Sequence, residues 1–226
     1  MFEIFLSYWW QYLLVILCSY FIGAINFSIV FSHLFKKTDV RNYGSGNPGT
    51  TNMFRVFGLR MGALTFLFDA LKGVLCCVLT KYVIFASLGV DVSNTAGYLA
   101  GLFAVVGHVF PAIHKFRGGK GVATSLGVMF SMQPILMLCL IVPICLIILI
   151  TDRMSVMSLV YSLFMIVWAW AVLLNKIGAF CCLAITLMYA LIIFAHRHNI
   201  VRLLRGQELP TGVRKALRGK SDKIVK

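Results

Sequence analysis

The chain has 226 residues, 60% of them hydrophobic, and a formal net charge of +14; its mean hydropathy is +0.91. Apolar runs of about 18 or more residues recur along its length, which excludes an ordinary soluble domain and predicts an all-α polytopic membrane protein. The basic residues fall between and after those runs, where they set orientation and do not suggest a nucleic-acid partner.

One membrane domain is expected over residues 1–208, followed by a basic cytoplasmic tail over 209–226. The opening does not read as a cleavable signal, because its apolar segment is long, starts near acidic Glu3 and lacks a small-residue cleavage site. The first span covers residues 8–32 and tolerates Asn26 and Ser28 on one face. A polar loop from Ser32 to Arg60 follows, with Lys36, Lys37, Arg41, Arg55 and Arg60. Span two runs from Met61 to Ala86 and holds Asp69 and Lys72 one helical turn apart. Charges inside a membrane pair or line a polar cavity, so Asp69 reads as an ion-pair partner and Lys72 as either its mate or a site residue. Span three covers Thr95 to Ile113. Residues 122–150 are apolar but interrupted at Gln133-Pro134, with Pro143 beyond. Proline lacks an N–H and its ring clashes with the preceding turn, so this stretch reads as two short helices, a pair of spans or a re-entrant hairpin. Ser155–Leu174 and Ile177–Ala195 complete seven helices.

With seven crossings, one face receives Lys36, Lys37, Arg41, Arg55, Arg60, Lys115, Arg117, Lys120, Arg153 and every basic residue from Arg197 to Lys226. The other keeps only Lys81 and Lys176. This asymmetry places the N-terminus outside and the C-terminus in the cytoplasm. The seven cysteines all lie in apolar runs without a polar ligand set, so neither zinc nor a disulfide framework is expected.

Three polar clusters land on the cytoplasmic face. Gly107–Thr124 reads GHVFPAIHKFRGGKGVAT and packs Lys115, Arg117 and Lys120 with Gly118, Gly119 and Gly121 into seven residues. Glycines that let backbone approach a ligand, beside Arg and Lys and ahead of a helix start, suit an oxyanion. Gly44–Asn52 reads GSGNPGTTN and is followed by Arg55. It matches G-x-G-x-x-G formally, but no strand precedes it, so its content is the hydrogen-bonding set Ser45, Asn47, Thr50, Thr51 and Asn52 on a flexible backbone carrying Gly44, Gly46 and Gly49. The loop is expected to lead straight into span two. The third cluster runs from His196 to Glu208, with His196, Asn199 and Arg202 on one face if the last helix continues. His108 and His196 are the neutral-pH bases within reach. Neither a Ser-His-Asp nor a Cys-His arrangement stands out.

Together the clusters resemble those of the bacterial acyl-phosphate-dependent glycerol-3-phosphate acyltransferases, small seven-helix membrane proteins. That family carries GSGN-x-G-x-TN, D-x-x-KG, GH-x-FP…GGKG-x-AT and HR-x-NI-x-RLL-x-G-x-E; the counterparts here are Gly44–Asn52, Asp69–Gly73, Gly107–Thr124 and His196–Glu208, in order. Thr50 stands where alanine is usual, and the tail after Glu208 is longer than typical. The resemblance implies transfer of an acyl group from a fatty acyl phosphate to the 1-hydroxyl of glycerol 3-phosphate at the inner membrane. Neither a cofactor nor a metal is implied; membrane lipid is a partner, and the enzyme that makes acyl phosphate is a candidate one. Ser45, Asn47, Lys120, His196 and Asn199 are the expected catalytic residues. Substrate contacts are expected from Gly44, Gly46, Gly49, Thr51, Asn52, Arg55, Lys72, His108, Arg117, Gly118, Gly119, Gly121, Thr124, Arg202 and Glu208. The acyl-phosphate head falls to Ser45, Asn47, Thr51 and the Gly118–Gly121 backbone, and glycerol 3-phosphate to Arg55, Lys120, Asn199 and Lys72. A carrier of phosphate or organophosphate is the rival reading, disfavoured because the polar residues crowd one side instead of the midplane.

Overall fold

The structure, a computed structural model, describes residues 7–213; residues 1–6 and the tail from 214 onward lie outside it. Every regular element among the described residues is helical. The α-helices are α1 (Trp9–Ala24), α2 (Phe27–Lys36), α3 (Thr50–Phe57), α4 (Leu59–Leu79), α5 (Val90–Val109), α6 (Val122–Met132), α7 (Pro134–Thr151), α8 (Met154–Trp168), α9 (Leu174–Ala195) and α10 (Arg197–Leu204). Wider five-residue turns at Thr80–Ile84 and Ala169–Leu173 extend α4 and join α8 to α9.

Among the described residues, five stretches are long and apolar enough to cross a membrane: Trp9–Lys36, Leu59–Ile84, Val92–His114, Pro134–Thr151 and Met154–Ala195. The last runs for 42 residues without a loop. The sequence predicts two spans there, Ser155–Leu174 and Ile177–Ala195; the stretch bends at Gly178, near the start of the second, where a φ of 78° is open to glycine but costly for other residues. α6 is an 11-residue apolar helix, cut off from α7 at Gln133-Pro134 as the proline predicts. Pro143 sits inside α7 without ending it. Val122, Ile148 and Ser155 border one cavity, so the α6–α7 pair leaves the site end of the bundle and comes back to it.

The first span departs from the continuous helix expected over residues 8–32. It breaks at Ile25-Asn26, and both broken ends are satisfied by side chains. Asn26 accepts from the N–H groups of Ser28 (3.1 Å) and Ile29 (3.3 Å), an N-cap for α2. Lys72 of α4 donates to the carbonyls of Gly23 (2.9 Å) and Ile25 (2.6 Å), which have no helical partner at the end of α1. The loop after α2 differs too. It does not feed span two but forms the separate helix α3, divided from α4 by Gly58.

Without a hydrophobic difference between lipid and helix, membrane helices adhere by close packing of small residues. α1 crosses α5 where Gly23 faces the Ala104 backbone and Gly107 the Tyr20 backbone. α4 crosses α6 in the same way, through Gly73 against Thr124 and Gly127 against Ala70. A β-carbon at any of the four would collide with the opposite backbone. These two crossings fix the ends of α5 and α6, and with them the basic glycine loop that joins the two helices.

Candidate active site

The first loop is folded from within. Asn52, buried on α3, accepts from the Ser45 N–H (2.9 Å) and donates to the carbonyls of Val40 (3.2 Å) and Tyr43 (2.9 Å). Its amide is thereby committed to the loop, so Asn52 holds the cradle in shape and is not the free substrate donor expected. Asn26, at the break in the first span, donates to the Pro48 carbonyl (3.2 Å) and anchors the loop to the bundle. Ser45, Asn47 and Thr51 remain at the cavity wall.

The second loop is also tied down, and this changes which of its groups can meet a ligand. The N–H groups of Gly118 and Gly119 donate to the carbonyls of Val109 (3.2 Å) and His108 (3.1 Å). They are not the oxyanion donors expected. The unpaired N–H groups of this segment lie instead in the first turn of α6, at Val122 and Ala123, ahead of the first helical bond from Ser125 to the Gly121 carbonyl. Gly121, at φ 81°, makes the turn that brings Lys120 beside them. Tyr20 supports the loop from α1, donating to the Phe110 carbonyl (2.7 Å) and accepting from the Ala112 N–H (3.0 Å).

The third segment supplies a chain of contacts. The half-buried Lys120 ammonium donates to Asn199 Oδ1. Asn199 Nδ2 donates to Glu208 Oε1 (2.6 Å), and Arg202 Nε donates to Glu208 Oε2 (2.9 Å). Burial, joined by the Arg202 and Arg55 guanidiniums, pulls Lys120 down to about 8 against the opposing Glu208 carboxylate. Burial alone pushes Glu208 up, but its bonds from Asn199 and Arg202 outweigh that and keep its pKa low. His196 is buried at the joint between α9 and α10, with Nδ1 2.8 Å from the Ile192 carbonyl. A carbonyl only accepts, so Nδ1 carries the proton and Nε2 a lone pair. Burial and then the Lys120 charge hold this imidazole down to about 4, so it is neutral at physiological pH.

These groups border two adjoining cavities. One, of about 240 Å³, is largely apolar on one side, with Leu126, Ile144, Ile148, Met154 and Met157. The other, of about 690 Å³, is polar and carries Arg41 and Arg117. Ser45, Asn47, Lys120, Asn199 and Arg202 belong to both walls. The starts of three helices line the apolar cavity: Thr50 and Thr51 of α3, Val122 and Ala123 of α6, Met154 and Ser155 of α8. Each helix start presents unpaired N–H groups and roughly half a positive charge, so the wall favours an anion several times over.

The family model described as glycerol-3-phosphate acyltransferase matches residues 13–206. The chain belongs to the glycerol-3-phosphate acyltransferase family. The Finegoldia magna glycerol-3-phosphate acyltransferase is 38% identical over 207 residues, covering 92% of this chain and 99% of that one. The Clostridioides difficile protein of the same name is 39% identical over 209 residues, covering 91% and 98%. Two solved structures of PlsY (YgiH), an integral membrane glycerol 3-phosphate acyltransferase, share the fold. Its glycerol 3-phosphate form has a TM-score of 0.80 at 33% identity, covering 92% of this chain and 98% of that one. Its lysophosphatidic acid form has a TM-score of 0.76 at 32% identity, covering 88% and 95%.

In this acyltransferase, most residues singled out by sequence meet at the paired cavities. Ser45, Asn47, Gly49, Thr51, Asn52, Arg55, His108, Lys120, Gly121, His196, Asn199, Arg202 and Glu208 line the apolar one; Gly46, Arg117 and Gly118 line only the polar one. Gly44, Lys72, Gly119 and Thr124 line neither. Gly44 and Gly119 are packing positions, where a β-carbon would meet Asn52 and His108. Thr124 is buried in the α4–α6 crossing. Lys72 is the largest correction. Its three N–H directions are taken by Gly23, Ile25 and His108 Nδ1 (2.8 Å), with Asp69 as an ion-pair partner (2.9 Å). An ammonium only donates, so His108 Nδ1 accepts from it and His108 Nε2 carries the proton. His108 is then a donor at the cavity wall and not a base.

Other residues at the site went unnoticed in the sequence. Ser155 and Ser158 line the apolar cavity from α8, and Leu209 from beyond the expected domain end. Arg55 was expected to hold substrate and does line the cavity, but its guanidinium also donates to the Pro210 carbonyl through Nε (3.2 Å) and Nη2 (2.9 Å). The Thr50 hydroxyl lines the cavity without a protein partner.

Proposed function

We propose that the enzyme transfers the acyl group of a fatty acyl phosphate to the 1-hydroxyl of glycerol 3-phosphate, releasing 1-acylglycerol 3-phosphate (lysophosphatidic acid) and inorganic phosphate, the first step of phospholipid synthesis. The observation that carries the proposal is the wall shared by the two cavities. One side suits a hydrocarbon chain, the other a small water-borne anion, and Lys120, Asn199 and Arg202 stand between them. The relatives' names and the two ligand forms of the solved homologue support the same substrate and product class.

The acyl phosphate lies with its chain along Leu126, Ile144 and Ile148 and its head at the starts of α3, α6 and α8. Glycerol 3-phosphate arrives through the polar cavity past Arg41 and Arg117, and its phosphate meets Lys120 and Arg202. Its hydroxyl oxygen attacks the acyl carbonyl carbon. The carbonyl–phosphate C–O bond breaks, and phosphate departs with the electron pair. The negative charge gathering on the carbonyl oxygen meets preorganised N–H groups, where such stabilisation is worth most. The hydroxyl proton leaves for the departing phosphate, with His196 Nε2 orienting the hydroxyl as an acceptor. A group with a pKa near 4 is a poor base at neutral pH.

The seven-crossing arrangement follows if α6 and α7 each count as a span and Met154–Ala195 counts as two, divided at Gly178. The basic residues then gather at the site end and Lys81 and Lys176 at the other. On this reading the protein sits in the bacterial inner membrane, and the site faces the cytoplasm with the N-terminus outside. Purified protein with labelled glycerol 3-phosphate tests the donor. Acyl phosphate should carry label into the chloroform phase, and acyl-CoA or acyl carrier protein should not. Equal product from acyl-CoA overturns the assignment.

A further inference from the structure

The segment after α10 forms part of the wall of the apolar cavity. Glu208 and Leu209 line that cavity, and Thr211 is buried. Three fastenings hold the segment, all to other parts of the chain. Arg153 Nη1 donates to the Glu208 carbonyl (2.6 Å), and Arg55 grips the Pro210 carbonyl (2.9 Å). The Thr211 N–H donates to the Asp152 carbonyl (2.7 Å), while its hydroxyl donates to Asp152 Oδ1. Asp152 and Arg153 form the tight turn between α7 and α8, and Asp152 holds a left-handed φ of 51° there. Such a conformation costs a non-glycine residue free energy and persists where surrounding contacts hold it. The turn brings the start of α8 to the cavity and also presents the two groups that hold Thr211 and Glu208.

We propose that Asp152, Arg153 and Thr211 are positioning residues of the transfer reaction: they pin the strap Gln207–Thr211 so that Glu208 fixes Asn199 and Arg202, and through Asn199 the Lys120 ammonium, at the boundary of the two cavities. The inference rests on the acyl transfer proposed above. Glu208 alone does not account for the geometry. A carboxylate on a free segment would be drawn to either guanidinium nearby, Arg202 or Arg55, and would leave Asn199 free to turn. The fastenings made by Asp152 and Arg153 come from the α7–α8 turn and not from α10, so they oppose that drift. They also give the α7–α8 turn, far from the motifs in sequence, a hold on Lys120 through Glu208 and Asn199.

Arg153→Gln combined with Thr211→Val removes the Arg153 fastening and the hydroxyl half of the Thr211 one, and leaves every cavity-lining side chain in place. Expected are a fall in kcat of roughly tenfold or more, as a misplaced group costs, and a change in the high-pH limb of kcat/KM. The charged groups facing Lys120 are Glu208 on the strap, Arg202 on α10, Arg55 on α3 and His196 at the α9–α10 joint. Among them only Glu208 raises the lysine pKa, so releasing the strap moves the limb from about 8 to lower pH, by about half a pH unit or more. Thr211→Ser, which keeps the hydroxyl, should match the parent in both readouts. The double variant behaving as the parent overturns the proposal. So does a slower enzyme whose limb has not moved, since that reports general loosening. The lysine titration can also be followed by pH-dependent acylation of Lys120 with an amine reagent and peptide mapping, which needs no turnover. If the parent fails with acyl phosphate, the donor assignment falls, and this labelling still decides whether the strap governs Lys120.

Discussion

Two lysines sit inside this bundle, each beside a carboxylate and a histidine, and they do different work. Lys72 spends its three N–H groups on two backbone carbonyls and His108, with Asp69 as its ion-pair partner. Lys120 makes a side-chain bond to Asn199 and otherwise faces cavities on both sides. The first closes the break in span one and sets the tautomer of His108. The second stands where a dianion can complete its shell. A buried cation therefore marks a substrate site only when its donors are left over after the protein has used what it needs.

Substitutions at the two lysines should separate stability from turnover. Lys72→Met leaves Asp69 uncompensated and the end of α1 uncapped. It should cost about 3–5 kcal/mol of stability, the scale for breaking a buried pair, read as a lost or sharply lowered thermal midpoint in detergent. A stable, fully active Lys72→Met enzyme would erase the distinction. Next in size is Asn199→Ala, which strips Lys120 and Glu208 of a shared partner. A charge-assisted bond is worth about 1.5–3 kcal/mol, so kcat/KM should fall roughly ten- to a hundredfold with little change in thermal midpoint.

The pH profile sharpens the comparison further. The free-enzyme pKa of Lys120 lies at about 8, depressed from the usual lysine value, so the cation needed for binding is present below that pH and lost above it. kcat/KM should decline above about pH 8, and Lys120→Arg should abolish that limb because a guanidinium stays charged. A limb that survives the arginine substitution belongs to another group. The smallest effect is expected at His196. Losing an acceptor costs about 1 kcal/mol, so His196→Ala should slow turnover by only about fivefold. A loss of a thousandfold would instead make His196 the base.

Much of the site was legible because its residues are chemically out of place. Polar loops among apolar runs stand out, and Gln133-Pro134 announced the α6–α7 break through a missing N–H. The rest was hidden for physical reasons. Asn26 starts a new helix inside an apolar run, because capping is a local choice of hydrogen bond. Gly118 and Gly119 match an anion loop by composition, yet their N–H groups are spent on the carbonyls of Val109 and His108, which only coordinates reveal. Ser155 and Ser158 are small residues in a lipid-like helix with no neighbouring signal. Asp152 and Thr211 lie 59 positions apart, so neither betrays the other.

The most direct test is the activity of Lys120→Ala with acyl phosphate and glycerol 3-phosphate, measured beside its thermal midpoint. Loss of a preorganised charge should raise the barrier by about 2–4 kcal/mol, roughly thirty- to a thousandfold in kcat/KM, with the midpoint essentially unmoved. Unchanged kcat/KM in a folded Lys120→Ala enzyme would mean that the acyl group is transferred somewhere other than the wall between the two cavities.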